Sequence, residues 1–306
     1  MTNQVPWTKT FEGHGIYNYE LTEWAHFHEL LHKAIPDPKS FIWRGQRSSD
    51  WPLASTLQRA LQHLPQNQKA AAAERHLAEF QYAARGRRGP SPSPLTENEW
   101  WALGQHYGLA TPLLDWTTSP FAAAFFAFSE PHKPQSPSRA IYALSLSAPN
   151  LGERLLAKIL LSKHALGLKW FWDPTEPDFG VKELKVGMEA IINEIVVERE
   201  KSLRQVAQTN QEVSIIRPMS NENPRLVNQA GLFTKVPLRN PMCMWLRETF
   251  PASTKRELLI RIKIPDSARQ LCLRDLNRMN INHLTLFPDL EGASKFANTH
   301  LEISQY

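Results

Sequence analysis

The chain has 306 residues, 42% of them hydrophobic and 21% charged, with a formal net charge of +5 and a sequence pI of about 9.2. These proportions suit a globular protein with a sizeable core and exclude disordered, collagen-like and disulfide-dense chains. The mild basic excess is compatible with a phosphate-bearing ligand or a nucleic acid without requiring either.

The cysteines and the apolar runs of the chain bear on where the protein is located and on whether it binds a metal. The two cysteines, Cys243 and Cys272, cannot form a disulfide framework, and their spacing fits no zinc site. The amino-terminal residues lack the apolar core of a secretory signal, and the longest apolar run, Phe121 to Phe128, is too short to span a bilayer. We therefore expect a cytoplasmic protein with no membrane partner and no metal.

The first half of the chain alternates predicted helices with one strand. Apolar residues at helical spacing in "YELTEWAHFHELLHKAI" predict that residues 1–40 form an amino-terminal helical segment. "SFIWRGQ" is typical of a short buried strand. A helix capped by Ser55 or Thr56 comes next, followed by a long helix over residues 68–85.

The arginine-rich stretch after residue 84 predicts a loop that is either solvated or able to meet phosphates through Arg85, Arg87 and Arg88. Thr96 and Glu99 have the spacing of a capping box.

Further signals in the middle of the chain place two helix boundaries and a strand. Gly108 is a typical helix stop, and Ser119 with Pro120 can open a buried helix. Residues 139–148 alternate in the manner of a strand.

The second half predicts a helical insertion over about 150–210 and then a return to strands. The strand candidates are "EVSIIRP", "PRLVNQAGLFTKVP" and "KRELLIRIKIP", and the helix candidates are "ARQLCLRDLNRMNI" and "FPDLEGASKFANTHLEI". Together the elements predict an α+β fold with a central mixed or antiparallel sheet flanked by helices.

Arg44 is the first candidate functional residue. It ends an apolar strand and precedes Gly45, which would let a ligand approach the backbone, and a guanidinium suits phosphate or carboxylate. The alternative is a structural ion pair, for which Asp115 is the candidate partner.

A second group of candidates lies between residues 105 and 119. Gln105, His106 and Tyr107 precede a helix stop, where they either complete the helix end or line a site in which Tyr107 stacks on an aromatic ring. We expect Asp115 to hold Arg44 or His106 in place. The residues that follow it lead into a predicted helix N-terminus, which favours anions: Trp116, Thr117, Thr118 and Ser119.

Four ordered blocks resemble the FRG domain family, which is named for an aromatic-Arg-Gly motif. They are "FIWRGQ", "QHYGLATPLLDWTTSPFAAAFFAF", "NPRLVNQAGLFTKVP" and "INHLTLFPDLEGASKF", and they extend the resemblance over residues 41–296. Trp43 replaces the usual Phe or Tyr, and Ala110 and Pro112 replace the usual Pro and Arg. The resemblance implies one FRG domain over residues 41–306 in a cytoplasmic bacterial protein of toxin or antiviral defence systems.

A weaker similarity, to arginine-specific ADP-ribosyltransferases, rests on the order of "FIWRG", "WTTSPFAAAFFA" and "LVNQAGLFTKVP". It implies an ADP-ribosyltransferase-like fold that uses NAD as substrate, with the dinucleotide as its ligand. The implied catalytic residues are Arg44, His106, Asp115 and Gln229. The implied dinucleotide-binding residues are Arg44, Gly45, Gln105, Tyr107, Trp116, Thr117 and Ser119.

Gln229 would take the place of the catalytic glutamate, and a glutamine carries no charge to stabilise a cationic transition state. Three alternatives follow: another carboxylate such as Asp115 or Glu291 supplies the charge, the reaction is slower, or the site only binds. The first two describe an NAD-using enzyme with a nucleic acid or protein acceptor. The third describes a non-catalytic nucleic-acid-binding or nucleotide-sensing module.

Overall fold

One mixed sheet organises the fold. A computed structural model describes residues 5–35, 37–89, 91–131, 136–148, 213–217 and 228–306. Its strands are β1 Trp7–Gly13, β2 Ile16–Leu21, β3 Phe41–Gln46, β4 Leu113–Thr117, β5 Ser138–Ser145, β6 Ser214–Ile216, β7 Gly231–Lys235 and β8 Leu259–Pro265. The strand order is β1-β2-β8-β5-β3-β4-β7-β6, and every neighbouring pair is antiparallel except β2 and β8. The predicted α+β class with a mixed sheet is confirmed.

Two buried clusters hold most helices of the described residues against the sheet. These helices are α1 His26–Ala34, α2 Thr56–Ala60, α3 Gln66–Ala83, α4 Glu97–His106, α5 Pro120–Phe128, α6 Met242–Thr249, α7 Arg269–Arg278, α8 His283–Leu286 and α9 Leu290–Glu302. Helices α1, α5 and α7 share one buried cluster with the central strands, whereas α2, α3 and α4 share another with β4, β6 and β7. None of the helices in the described part of the chain is long and apolar enough to cross a bilayer.

Helix α5 lies unusually close to β3, and Gly45 makes this possible. A Cβ atom at Gly45 would lie 2.0 Å from the carbonyl oxygen of Ala123 and 2.4 Å from the amide nitrogen of Ala127. Helix backbone therefore fills the space that a side chain at residue 45 would need. The expectation that a ligand approaches the backbone of Gly45 is not tested by this contact and stays a prediction. Since side chains alternate along a strand, Trp43 and Gly45 face α5, and Arg44 and Gln46 face the other way.

The local start signals of the helices are confirmed. Ser55 caps α2, Thr96 and Glu99 form the predicted capping box of α4, and Ser119 caps α5. In each case a side-chain oxygen accepts a hydrogen bond from a backbone amide in the first turn. The predicted insertion over about 150–210 lies outside the described residues.

The prediction of a helical segment over residues 1–40 is wrong for its first half. β1 and β2 form a hairpin whose turn residues, His14 and Gly15, have φ values of +57° and +76°. This is the backbone that a two-residue hairpin turn requires. β2 then pairs with β8, so the segment belongs to the central sheet, and α1 begins only at His26. The helical spacing was misleading at its start because Leu21, the first apolar residue of that pattern, belongs to β2.

Candidate functional site

The sheet opens between β3 and β4. These strands are paired at one position, Trp43 with Thr117, whereas β3 pairs with β5 over its whole length. A cavity of about 450 Å³ lies where they separate, within the range of roughly 300–1,000 Å³ typical of small-molecule sites. It is lined by Arg44, Gly45, Gln46, Arg47, Trp51, Pro52, Leu53, Ala54, Arg59, Leu114 and Phe126. We call it the arginine cavity.

Three arginines line the arginine cavity, and none of its lining residues is acidic. Arg59 donates from Nη1 to the carbonyl oxygen of Ala54 at 2.6 Å, which fixes its position on α2. Burial, and then the positive charge of Arg44, lower the pKa of Arg59. The guanidinium of Arg47 lies 5.4 Å from the centre of the Trp51 ring. Like charges around one cavity repel one another, so an anion bound among them is favoured.

Arg44 is hydrogen-bonded through Nη1, whereas its Nε has no partner among the described residues. Its Nη1 donates to the backbone oxygen of Asp115 at 2.7 Å and lies 3.3 Å from Oδ2 of the Asp115 carboxylate. This Nε is buried. An unmade hydrogen bond on a buried charged group is costly.

Asp115 is oriented from two sides. Nε2 of Gln105 donates to both carboxylate oxygens of Asp115 at 3.0 Å, and Oε1 of Gln105 accepts from the hydroxyl of Thr111. The side chain of Asp115 is nevertheless 56% exposed. The structure thus joins Arg44, Asp115 and Gln105 in one polar network at the edge of the arginine cavity. It also shows the contact between Asp115 and Arg44 that the sequence suggested.

His106 and Tyr107 lie at the end of α4, next to Gln105. Tyr107 is 73% exposed, and its ring contacts that of His106 edge-on with the centroids 4.8 Å apart. Neither residue lines the arginine cavity. An exposed aromatic ring at this point has room to stack on a part of a ligand that extends beyond the cavity.

Three further candidates make hydrogen bonds within the protein. The buried indole of Trp116 donates to the hydroxyl of Thr234 at 2.8 Å, so it does not present a face to the arginine cavity. The hydroxyl of Thr117 donates to the backbone oxygen of Gln229 at 2.7 Å, and Ser119 caps α5. The contacts of Thr117 and Ser119 stabilise the turn from β4 into α5, whereas the Trp116 contact joins β4 to β7.

Gln229 is not brought to the arginine cavity. Its Nε2 donates to the backbone oxygen of Leu286 at 3.1 Å. Gly231 pairs with Thr117, so Gln229 lies beyond the carboxyl end of β4, while the cavity contacts Leu114 near the other end of that strand. The other carboxylate considered, Glu291, lies 3.1 Å from the Lys295 amine on α9.

Sequence reasoning missed Gln46, Arg47, Trp51 and Arg59. Strand alternation was a signal for Gln46, because it shares a face of β3 with Arg44. No local pattern indicated that the loop after β3 and helix α2 close around that face. Among the described residues, no group of three His, Cys, Asp or Glu side chains is arranged to hold a metal ion.

The fold and the cavity define an α+β protein with an arginine-lined site at a divergence of two strands. The family model of the FRG domain matches residues 39–136, so the chain contains an FRG domain. The match includes β3, β4, all three cavity arginines and the first two blocks of the resemblance, whereas the two later blocks lie outside it. No curated protein and no solved structure matches the chain.

Proposed function

We propose that this FRG-domain protein binds a phosphate-bearing dinucleotide, NAD, in the arginine cavity and acts as an ADP-ribosyltransferase-like enzyme of a toxin or antiviral defence system. The observation that supports the proposal is the convergence of Arg44, Arg47 and Arg59 on a cavity without acidic lining residues. The ligand class follows from charge, and the effector role follows from the family resemblance.

The lining residues fit a dinucleotide. A diphosphate offers the anionic oxygens that three guanidinium groups favour, and planar guanidinium groups bind such oxygens in a bidentate manner. Trp51 adds an aromatic side chain, which suits contact with a base or a ribose.

Asp115 is the carboxylate to which we assign the stabilisation of the cationic transition state. When bound, NAD supplies a glycosidic C–N bond; as it breaks, nicotinamide leaves with the electron pair and water or an acceptor nucleophile takes the ADP-ribose. A carboxylate beside that bond stabilises the positive charge that develops on the ribose. Asp115 contacts Arg44 of the cavity, is oriented by Gln105 and is partly exposed, whereas Gln229 is uncharged and bound to Leu286.

One observation favours a second candidate, a nucleotide-sensing module that binds without turnover. The negative charge of Asp115 is already compensated by Arg44, which weakens its effect on a developing cation.

A nucleic-acid-binding role through the basic loop has less support. Arg85 and Arg87 donate to the carbonyl oxygens of Tyr82 and Ala83, which lie at the end of α3. Cations at a helix C-terminus commonly serve the helix itself.

The test is calorimetric titration of the purified protein with NAD. Arg44→Ala removes a charged donor, which corresponds to a loss of affinity of about 10- to 100-fold. Arg85→Ala is the matched control, because it removes the same charge outside the cavity, and we expect it to bind NAD as the parent does. Absence of NAD binding by the parent protein, or equal losses in the two variants, would refute the proposal.

Turnover is measured separately, as nicotinamide released from NAD with and without nucleic acid or cell extract. We expect release by the parent protein and a loss of release in Asp115→Asn with NAD binding retained. NAD binding without release under any of these conditions would replace the enzyme by the nucleotide-sensing module.

A further inference from the structure

The orientation of the Gln105 side-chain amide is fixed by the groups on its two sides. Nε2 donates to both carboxylate oxygens of Asp115 at 3.0 Å. Exchanging the nitrogen and oxygen of the amide would set Oε1 against a negatively charged carboxylate, so Oε1 has to face away from Asp115. On that side the hydroxyl of Thr111 donates to it. The carboxylate therefore holds one half of the amide, and the hydroxyl of Thr111 holds the other.

Thr111 is fully buried, and its hydroxyl and its backbone are both fixed. The hydroxyl oxygen accepts from the backbone amide of Leu113 at 3.2 Å, while its proton bonds Gln105. The backbone amide of Thr111 donates to the hydroxyl of Thr56 at 2.8 Å, and that hydroxyl donates back to the carbonyl oxygen of Thr111 at 3.2 Å. The amide of Leu57 donates to the same carbonyl oxygen at 3.0 Å. The hydroxyl thus projects from backbone that is bonded to the first turn of α2.

We propose that Thr111 is a positioning residue, whose hydroxyl holds the amide of Gln105 and, through it, the carboxylate of Asp115 for the release of nicotinamide. The inference rests on the proposed function, which gives Asp115 its role in that reaction. The side chain of Asp115 is 56% exposed and Nη1 of Arg44 lies 3.3 Å from Oδ2, whereas Gln105 bonds both oxygens. A group that stabilises a developing charge has to be in place before the charge develops, so it needs such a support.

This placement predicts that catalysis and binding respond differently to the loss of the hydroxyl. Neither Thr111 nor Gln105 lines the arginine cavity. Arg44, which does, keeps its bond of 2.7 Å to the backbone oxygen of Asp115 when the carboxylate loses its support. The affinity for NAD should therefore be kept while the rate of nicotinamide release falls.

The first experiment measures nicotinamide release and calorimetric NAD binding in Thr111→Val, which replaces the hydroxyl by a methyl group of similar size. We expect release to slow by about tenfold or more, because small misplacements of a catalytic group have such effects, and the affinity for NAD to stay within about threefold. Thr111→Ser keeps the hydroxyl and should retain most of the rate. Thr234→Val is the matched control, because Thr234 is also fully buried and its hydroxyl accepts from Trp116. It should destabilise the protein to thermal denaturation and leave the rate of release unchanged.

The second experiment needs neither NAD nor turnover. Nitrogen-15 relaxation of the side-chain amide of Gln105 measures whether that group is held. We expect an order parameter of about 0.85 in the parent protein, as in rigid backbone, and below about 0.6 in Thr111→Val. Thr111→Ser and Thr234→Val should give the value of the parent protein.

An unchanged order parameter in Thr111→Val would overturn the inference while leaving the proposed function intact. Release by Thr111→Val at the rate of the parent protein would do the same, as would an equal loss of rate in Thr234→Val. Absence of release by the parent protein would instead refute the proposed enzyme activity. The order parameters separate that failure from a failure of the inference.

Discussion

Replacing Gly45 by alanine tests whether the Arg-Gly pair of β3 is a packing feature or a point of ligand approach. The new Cβ would lie 2.0 Å from the backbone oxygen of Ala123, although such contacts are essentially never shorter than 3.0 Å. Either β3 or α5 therefore has to move by about 1 Å. Neither shift is small, because β3 is paired with β5 over its whole length and α5 is almost entirely buried.

The expected fall in the free energy of unfolding depends on which atoms obstruct the new Cβ. Overpacking a core costs about 1–3 kcal/mol and occasionally more, and the low values belong to sites where a flexible side chain can give way. At Gly45 the obstructing atoms are helix backbone, so we expect the free energy of unfolding to fall by about 3 kcal/mol or more. At roughly 2 °C per kcal/mol for a chain of this size, the melting temperature should fall by about 6 °C.

Urea denaturation followed by tryptophan fluorescence measures this loss, with Gly108→Ala as the matched control. Gly108 has open space around its Cβ position but a φ of +84°, so the same substitution should cost only about 1 kcal/mol of backbone strain. A loss below about 1 kcal/mol for Gly45→Ala would refute the packing argument. If NAD affinity fell while stability was kept, Gly45 would be a point of ligand approach.

Three further predictions concern stability. Ser119→Ala should cost about 1 kcal/mol in urea denaturation, because the hydroxyl oxygen accepts from the Ala122 amide at 3.2 Å and caps α5. Asp266→Asn should cost about 3 kcal/mol in the same assay, because Arg139 is 1% exposed and its Nε donates to Asp266 at 2.5 Å. Burial, and then the charge of Lys295, lower the pKa of His283. The unfolded state therefore takes up a proton that the native state does not, and the free energy of unfolding should fall as the pH drops below about 6.5.

Each of these predictions has its own check. Ser119→Asn keeps a capping oxygen and should recover most of the loss. Full stability of Asp266→Asn would mean that the backbone oxygens of Ala127 and Glu130 suffice to hold Arg139. His283→Leu should flatten the pH dependence of the free energy of unfolding below about pH 6.5. An unchanged slope would assign the dependence to other groups.

Local structure was predictable wherever a side chain acts on backbone only a few residues away. The caps Ser55, Thr96 and Ser119 follow this rule, since each bonds an amide three residues ahead. The amino-terminal hairpin was not predicted, although "GHG" between two runs of β-forming residues was a turn signal. Its second strand is placed by β8, more than 200 residues away, and no window of sequence contains that partner.

The sequence by itself determined the α+β class, the strand that carries Arg44 and the FRG motif around it, because these depend on residue types that are close together in the chain. Only the tertiary structure decided which residues share a site. The divergence of β3 from β4 opens the cavity, and the chain after β3 folds back to bring Arg47, Trp51 and Arg59 beside Arg44. The same strand pairing places Gln229 at the far end of β4. Pairings between distant strands set these positions, and their register is fixed by packing across the whole sheet rather than by neighbouring residues.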